Sequence, residues 1–370
     1  MKVSELLGLL EELSPLAYSE EFDNTGLLVG NADAQISGIL ITHDTLEDVV
    51  QEAVDLGQNV IVSFHPIIFS GLKKLTAKTY VERAVMKAIR HDIAIIAVHT
   101  ALDNSWNGVN AGMCDHLKLE NRSVLLPKSG LISKLTTYVP KGDAHKVREA
   151  LFNVGCGQIG NYSHCSFNIM GEGTFMGNDQ ANPTVGEINE LHHEPEVQIG
   201  VTFPSNDQAK VMTALFKSHP YEQVAYEITR LENPNQYVGM GMVGELPEPL
   251  EEEQFLDLLK TTFQTPCVRH SALIGNKISK VAVLGGSGSF AISAASRAGA
   301  QAYVTADLKY HDFYQAEGRL LLCDVGHFES ERFTTAILFD FISKKIANFA
   351  PALSKGIAVS KVKTNPILYY

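Results

Sequence analysis

At 370 residues the chain is too long for one ordinary hydrophobic core, so two domains are expected. With 45% hydrophobic and 19% charged residues it has an ordinary globular profile, and no apolar run is long enough to span a bilayer. The formal charge of −12 argues against a nucleic-acid-binding surface, which needs clustered Lys and Arg, but allows a small anionic substrate beside a bound dication.

Residues 1–13 carry an apolar stripe, three glutamates and no small-residue cleavage site, which predicts an amphipathic helix and not a signal peptide. Residues 37–42 read as a strand and 46–56 as a helix with apolar side chains at 46, 49, 50, 53 and 56. A strand at 59–64, a helix at 80–91 and a strand at 93–98 follow. Short, wholly apolar strands alternating with helices predict a parallel sheet covered on both faces.

The character changes at about residue 129. A strand at 134–140, a helix at 145–154 and strand-like runs at 162–169 and 171–175 come first. A strand at 196–203, a helix at 206–218 and a strand at 223–230 close the unit. This is the β-α-β-β-α-β order of a ferredoxin-like arrangement. Beyond residue 235 the first style returns, with a helix at 251–263, strands at 280–284, 302–305 and 320–325, and a last helix to Ile346. The flanking fragments need each other for a complete sheet. The expected class is therefore α/β: an α/β/α core with a largely parallel sheet, residues 1–129 and 235–370, interrupted by an inserted α+β ferredoxin-like (βαββαβ) domain at 130–234.

Five cysteines (Cys114, Cys156, Cys165, Cys267 and Cys323) are scattered and form no C-x-x-C pair. A reduced, cytoplasmic protein without a disulfide framework or cysteine-rich zinc site is expected.

The chemistry gathers where strands end. His65 closes the 60–64 run, Asp103 comes just after 93–98, and His327 and Glu331 follow 320–325 at a turn marked by Gly326. Ligands in open α/β sheets collect beyond the carboxyl ends of parallel strands, and imidazole with carboxylate is the donor set of a hydrolytic divalent-metal site. His327 and Glu331, four apart, share a face if a helix begins there. Asp307 stands at a further strand end. Each residue also has a plainer reading. His327 and Glu331 would be an exposed pair supporting a first helical turn, His65 a core histidine bonded to a carbonyl, and Asp103 the start of an Asx turn. His99 is a candidate for orienting Asp103 or a substrate group, and His99 or His311 for moving a proton. Gly285-Gly-Ser-Gly288 is either an anion-binding turn or a tight turn for close packing. His192-His193 reads as a solvated loop, and 248–253 as an acidic helix N-terminus.

Six segments carry a family resemblance: Glu21-Phe-Asp-Asn-Thr-Gly-Leu-Leu-Val-Gly30, Ser63-Phe-His-Pro-Ile-Ile-Phe69, Val98-His-Thr-Ala-Leu-Asp103, Gly285-Gly-Ser-Gly288, Thr305-Ala-Asp-Leu-Lys-Tyr-His311 and Gly326-His-Phe-Glu-Ser-Glu331. In this order they resemble the NIF-three-like dinuclear-metal-centre family, whose members carry the name GTP cyclohydrolase 1 type 2 homologue. Gly155-Cys-Gly-Gln-Ile-Gly-Asn-Tyr162, Gly173-Thr-Phe175 and His219-Pro-Tyr-Glu222 look like the nitrogen-regulator-like insert of its longer bacterial members. The resemblance implies one or two divalent ions (zinc, iron or manganese) held by His65, Asp103, His327 and Glu331, with Glu331 as the bridge. It also implies a homo-oligomer, usually a hexamer, and a metal-dependent hydrolase acting on a nucleotide-like substrate. The alternatives are a phosphatase or phosphodiesterase, or a non-enzymatic metal-containing regulator or scaffold. The chain departs from the family pattern at one point. Two successive histidines are expected before Pro66, and the first is Phe64. That leaves a second ion weaker, more hydrated, completed by another side chain, or absent.

Overall fold

The computed structural model describes residues 1–349 and 353–370. The chain divides into two compact units, Met1–Pro127 with Tyr237–Tyr370, and Lys128–Gln236.

The first unit holds two sheets where the sequence led us to expect one. The five-stranded sheet runs Gly26–Val29, Ala94–Ala97, Val60–Ser63, Ile39–Thr42, Ile357–Val359. The last four are parallel and the Gly26–Val29 edge is antiparallel. Side-chain alternation divides it cleanly. Ile39, Ile41, Val60, Val62 and Ile96 pack with Leu6 and Leu10 of helix Val3–Leu13 and Leu338 and Ile342 of helix Thr334–Phe349. Leu40, Ile61 and Ile95 face the other way, onto Val49 and Ala53 of helix Glu47–Leu56 and Ala84 and Ala88 of helix Tyr80–Arg90. Strands buried on both faces read as unbroken apolar runs, which is why these were visible in the sequence.

The six-stranded sheet runs Arg269–His270, Leu321–Asp324, Ala302–Ala306, Ile278–Ser287, Asn235–Leu250, Glu120–Lys128. Leu321–Asp324, Ala302–Ala306 and Ile278–Ser287 are parallel. Val281, Val283, Val304 and Cys323 meet Phe255, Leu259 and Phe263, while Ala282, Tyr303 and Leu322 meet Ile292 and Ala295. The halves of the chain do complete one another, by exchanging edges. Ile357–Val359 joins the sheet built before the insert, and Glu120–Lys128 joins the one built after it. Hydrophobic periodicity identifies a buried strand but does not say which of two sheets receives it.

The second unit contains Ile132–Pro140, Ala144–Asn153, Phe167–Phe175, His192–Pro204, Gln208–Ser218 and Tyr226–Leu231 in chain order. Its strands lie in the spatial order Phe167–Phe175, His192–Pro204, Ile132–Pro140, Tyr226–Leu231, all antiparallel. Leu135, Ile199 and Val201 pack on Val147, Leu151, Val211 and Leu215 from the two helices. The strand-like runs at 162–169 and 171–175 form a single strand beginning at Phe167, and Tyr162 makes only an isolated bridge to Ile159. No helix among the described residues is long and apolar enough to cross a membrane.

Candidate metal centre

In the five-stranded sheet, Thr42 and Ser63 are register partners on adjacent parallel strands. The backbone pairing continues past both strands. Phe64 N–H donates to the Thr42 carbonyl, His65 N–H to that of His43, and His99 N–H to that of Phe64. Thr42 and Ser63 hydroxyls donate to the Asp44 and His65 carbonyls, each at 2.8 Å, and pin the two exits. His43, His65 and His99 therefore leave one sheet edge in a row. In the six-stranded sheet the turn after Leu321–Asp324 passes through Gly326, at φ +96°, into the short helix His327–Glu331. That helix places His327 and Glu331 on one face, with Nε2 and Oε2 3.2 Å apart.

The two edges meet at one carboxylate oxygen. Glu331 Oε2 lies 3.3 Å from His43 Nε2, 3.3 Å from His65 Nε2 and 3.2 Å from His327 Nε2. None of these contacts is aligned as a hydrogen bond for the oxygen, and Glu331 Oε2, His43 Nε2 and Asp103 Oδ1 are buried without a hydrogen-bond partner. The opposite nitrogens are all occupied. His43 Nδ1 and His65 Nδ1 donate to the two oxygens of Asp44, at 2.9 and 2.7 Å. His327 Nδ1 donates to Asp307 at 2.7 Å, and His99 Nδ1 to Asp23 at 2.8 Å. A carboxylate on Nδ1 fixes the tautomer and turns the Nε2 lone pair inward.

The electrostatics follow from this packing. Burial opposes charge on His65 and His327, but Asp44, Asp307 and Glu331 outweigh it and push the two imidazoles up to about 9 and about 11. His43 is raised in the same way, against burial, by Asp44 and Glu331. Burial also opposes charge on Glu331, yet His327, His43 and His65 hold it well below the usual carboxylate range. Burial lifts Asp103 well above that range, and the charge of Glu331 adds to the lift. A site that gathers protons around buried anions is one where a cation can replace them.

The donor set fits a divalent ion. His65, His327 and Glu331 offer ligand atoms within 4.8 Å of one another; His43, Asp44 and His65 also lie that close, but there both Asp44 oxygens are taken up by the two Nδ1 atoms. Glu331 Oε2 and His43 Nε2, 3.3 Å apart and without hydrogen bonds, are atoms that such an ion would satisfy, whereas Asp103, whose buried Oδ1 also lacks a hydrogen bond, belongs to neither group. Asp103 ends the helix His99–Asp103, where its backbone carbonyl accepts from Asn110. Asp307 sits at φ +56°, a left-handed conformation uncommon for a non-glycine residue, with its side chain on His327.

Other expectations fare differently. His99 is bonded to Asp23 and not to Asp103. His311 is exposed, its ring against Tyr310 and Tyr314. Gly285 and Gly286 donate their N–H groups to Asn110 and to Ser330, which favours the close-packing role of the turn over anion binding. A Cβ on Gly286, at φ +70°, would lie 2.3 Å from Glu331 Oε1. His192 and His193 open a strand and do not form a loop. They point to opposite faces, toward Glu194 and Glu172.

A family model described as Duf34/NIF3 (NGG1p interacting factor 3) matches residues 1–366. The chain belongs to the Duf34/NIF3 family. A Bacillus subtilis protein named GTP cyclohydrolase 1 type 2 homolog is 36% identical over 369 residues, 99% of this chain and 98% of its own. A Halalkalibacterium halodurans protein of the same name is 38% identical over 325 residues, 87% of each chain. A solved Bacillus cereus protein related to NIF3 superposes with a TM-score of 0.88 at 34% identity, covering 100% of this chain and 99% of its own.

Where the resemblance led us to expect a histidine, Phe64 is fully buried in the core of the five-stranded sheet. Its ring centroid lies 5.4 Å from that of His43 and 4.9 Å from that of His65. Sequence reading missed His43, Asp44 and Asp23. The signal for the first two was present, because His43-Asp44 directly follows the 37–42 run as His65 follows its own. Asp23 stands in a stretch without periodicity and meets a histidine 76 residues away.

Proposed function

We propose that this Duf34/NIF3 protein is a divalent-metal-dependent hydrolase acting on a nucleotide-like substrate, with His65, Asp103, His327 and Glu331 holding the ion. The observation that carries the reading is the buried Glu331 Oε2, faced by three imidazole Nε2 atoms within 3.3 Å and bonded to none of them. When bound, the ion supplies Lewis acidity that polarises a substrate oxygen and makes water a better nucleophile. Asp44 and Asp307 keep the Nε2 lone pairs of His65 and His327 directed inward. His99, held by Asp23 through Nδ1, moves a proton at Nε2. Beside it stand Phe69, its centroid 6.3 Å from that of His99, and Phe22, 6.4 Å from Phe69, both more than half exposed. Two open rings next to a proton-handling histidine suit a planar, stacking substrate. The relatives' name adds the nucleotide class.

The test is metal analysis of protein purified without an affinity tag, then a screen of nucleotides and phosphate esters with and without chelator. Chelator-sensitive loss of the purine chromophore supports ring opening at C8. Chelator-sensitive phosphate release with the chromophore intact supports the phosphatase or phosphodiesterase alternative. Tightly held metal with neither reaction moves the reading to a regulator or scaffold.

We also infer that the chain works as a homo-oligomer, with the hexamer of the resemblance as the expected size. The edge strand Phe167–Phe175 carries Phe167, Ile169 and Met170 at least half exposed, alongside unpaired backbone groups. An apolar, unpaired edge is usually covered. A monomeric mass by light scattering at micromolar concentration would rule this out.

A further inference from the structure

We propose that His43 is itself a metal ligand, supplying through Nε2 the imidazole that residue 64 does not. The inference rests on the metal-centre reading above and adds a donor to it. The plain alternative is a core histidine satisfied by Asp44. That accounts for Nδ1, which donates to Asp44 at 2.9 Å, and leaves Nε2 unexplained. Nε2 is buried on a side chain only 5% exposed, has no hydrogen-bond partner and lies 3.3 Å from Glu331 Oε2, which likewise accepts no hydrogen bond. An apolar side chain would fill the same space without orphaning a nitrogen, so the imidazole needs a reason to be there. A shared cation gives both atoms a partner at once.

Position also favours the assignment. His43 and Phe64 follow neighbouring parallel strands, joined by the Phe64 N–H to Thr42 carbonyl bond at 3.1 Å. The phenyl ring lies in the core with Val62 and Ile96, while the imidazole beside it reaches the carboxylate. Apolar ring and nitrogen donor have exchanged strand ends. Asp44 then holds His43 and His65 together through their Nδ1 atoms, so one residue sets the tautomer of both donors.

Zinc is titrated into chelator-stripped wild type, His43→Leu, His43→Gln and His43→Leu/Phe64→His, with folding checked by circular dichroism. The expected result is loss of one zinc, or at least about a tenfold weakening of one site, in both single variants. Recovery is expected in the double variant, where the imidazole returns at residue 64. Equal stoichiometry and affinity in wild type and both single variants would overturn the assignment while leaving the metal centre standing. A wild type that binds no zinc would instead remove the metal-centre reading and this inference together. Histidine nitrogen NMR of the wild type gives a readout that depends on no variant. Zinc should shift His43 Nε2, and a His43 Nε2 resonance unmoved at saturation would refute the proposal.

Discussion

Two regions of the molecule are rich in histidine and carboxylate, and they differ in whether those groups are satisfied. In the inserted unit each histidine has its own partner. His192 Nε2 bonds Glu194 at 2.9 Å and His193 Nδ1 bonds Glu172 at 3.0 Å. His219 Nε2 donates to the Tyr138 carbonyl while its Nδ1 accepts from Tyr221 N–H, and Tyr221 hydroxyl donates to Glu196. At the strand ends of the other unit, four histidines have Nδ1 bonded to aspartate, and three of those present Nε2 to one buried carboxylate oxygen that bonds to none. Residue types alone do not distinguish the regions. The convergence of imidazole nitrogens on a buried carboxylate oxygen that accepts no hydrogen bond does, because a bound cation is one of the few things that would complete all of those atoms together.

The largest effect should come from removing the atom on which the donors converge. Glu331→Gln keeps the shape but loses the anion that three imidazoles face. Divalent-ion affinity should fall further than the roughly 10–100-fold that loss of an outer hydrogen-bonding partner costs. Isothermal titration of stripped protein reads this directly, and wild-type affinity in the variant would end the convergence argument. Asp307→Asn, which removes such an outer partner from His327, should fall within that 10–100-fold range.

Gly286→Ala acts on the same carboxylate through the backbone. At φ +70° a side chain costs about 1–2 kcal/mol, and its Cβ would lie 2.3 Å from Glu331 Oε1. Denaturant unfolding should show at least that loss, together with weakened metal binding. Loss of stability with unchanged affinity would mean that Glu331 can shift without consequence.

Part of this contrast was legible in the sequence. The strand-end rule singled out His65, Asp103, His327 and Glu331 because each comes after a mostly apolar run, and the structure gathers His65, His327 and Glu331 within 4.8 Å of one another. It passed over His43-Asp44, since Thr45 and Leu46 follow at once and the segment reads as the approach to a helix. The strand Asn235–Leu250 was hidden by Gly239, Gly241, Gly244, Pro247 and Pro249, which break any alternation. Two sheets in place of one could not be read, because a both-faces-buried strand looks the same in either. The satisfied state of an imidazole lies in no local pattern at all.

Proton competition should give the next effect. In the metal-free protein His65 is pushed up to about 9 and His327 to about 11, so both carry protons at pH 7 that an ion must displace. Affinity should rise with pH, by about tenfold per unit for each proton released. Stability of the metal-free protein should move the other way. The contribution of these groups is fully present below their unfolded value of about 6.5 and is lost as pH rises through 9 toward 11. Titrations in buffers of different ionisation enthalpy count the protons, and a pH-independent affinity would contradict the assignment.

The smallest effect belongs to the inserted unit. His193 is exposed and paired only with an exposed Glu172, so His193→Ala should change stability by no more than about 0.5 kcal/mol. His219→Ala is the sharper control. Burial lowers the pKa of this imidazole and keeps it neutral, with both ring nitrogens hydrogen-bonded to backbone. Its removal should cost about 1–3 kcal/mol, because the Tyr138 carbonyl and Tyr221 N–H lose their partner. Metal stoichiometry and affinity should stay at the wild-type value, since neither nitrogen is free to bind an ion. Stripped and zinc-loaded samples of both variants, compared by thermal unfolding, separate the two contributions. If His219→Ala lowered zinc affinity as much as Asp307→Asn, then satisfied histidines would matter to the centre after all, and the distinction between the two regions would fail.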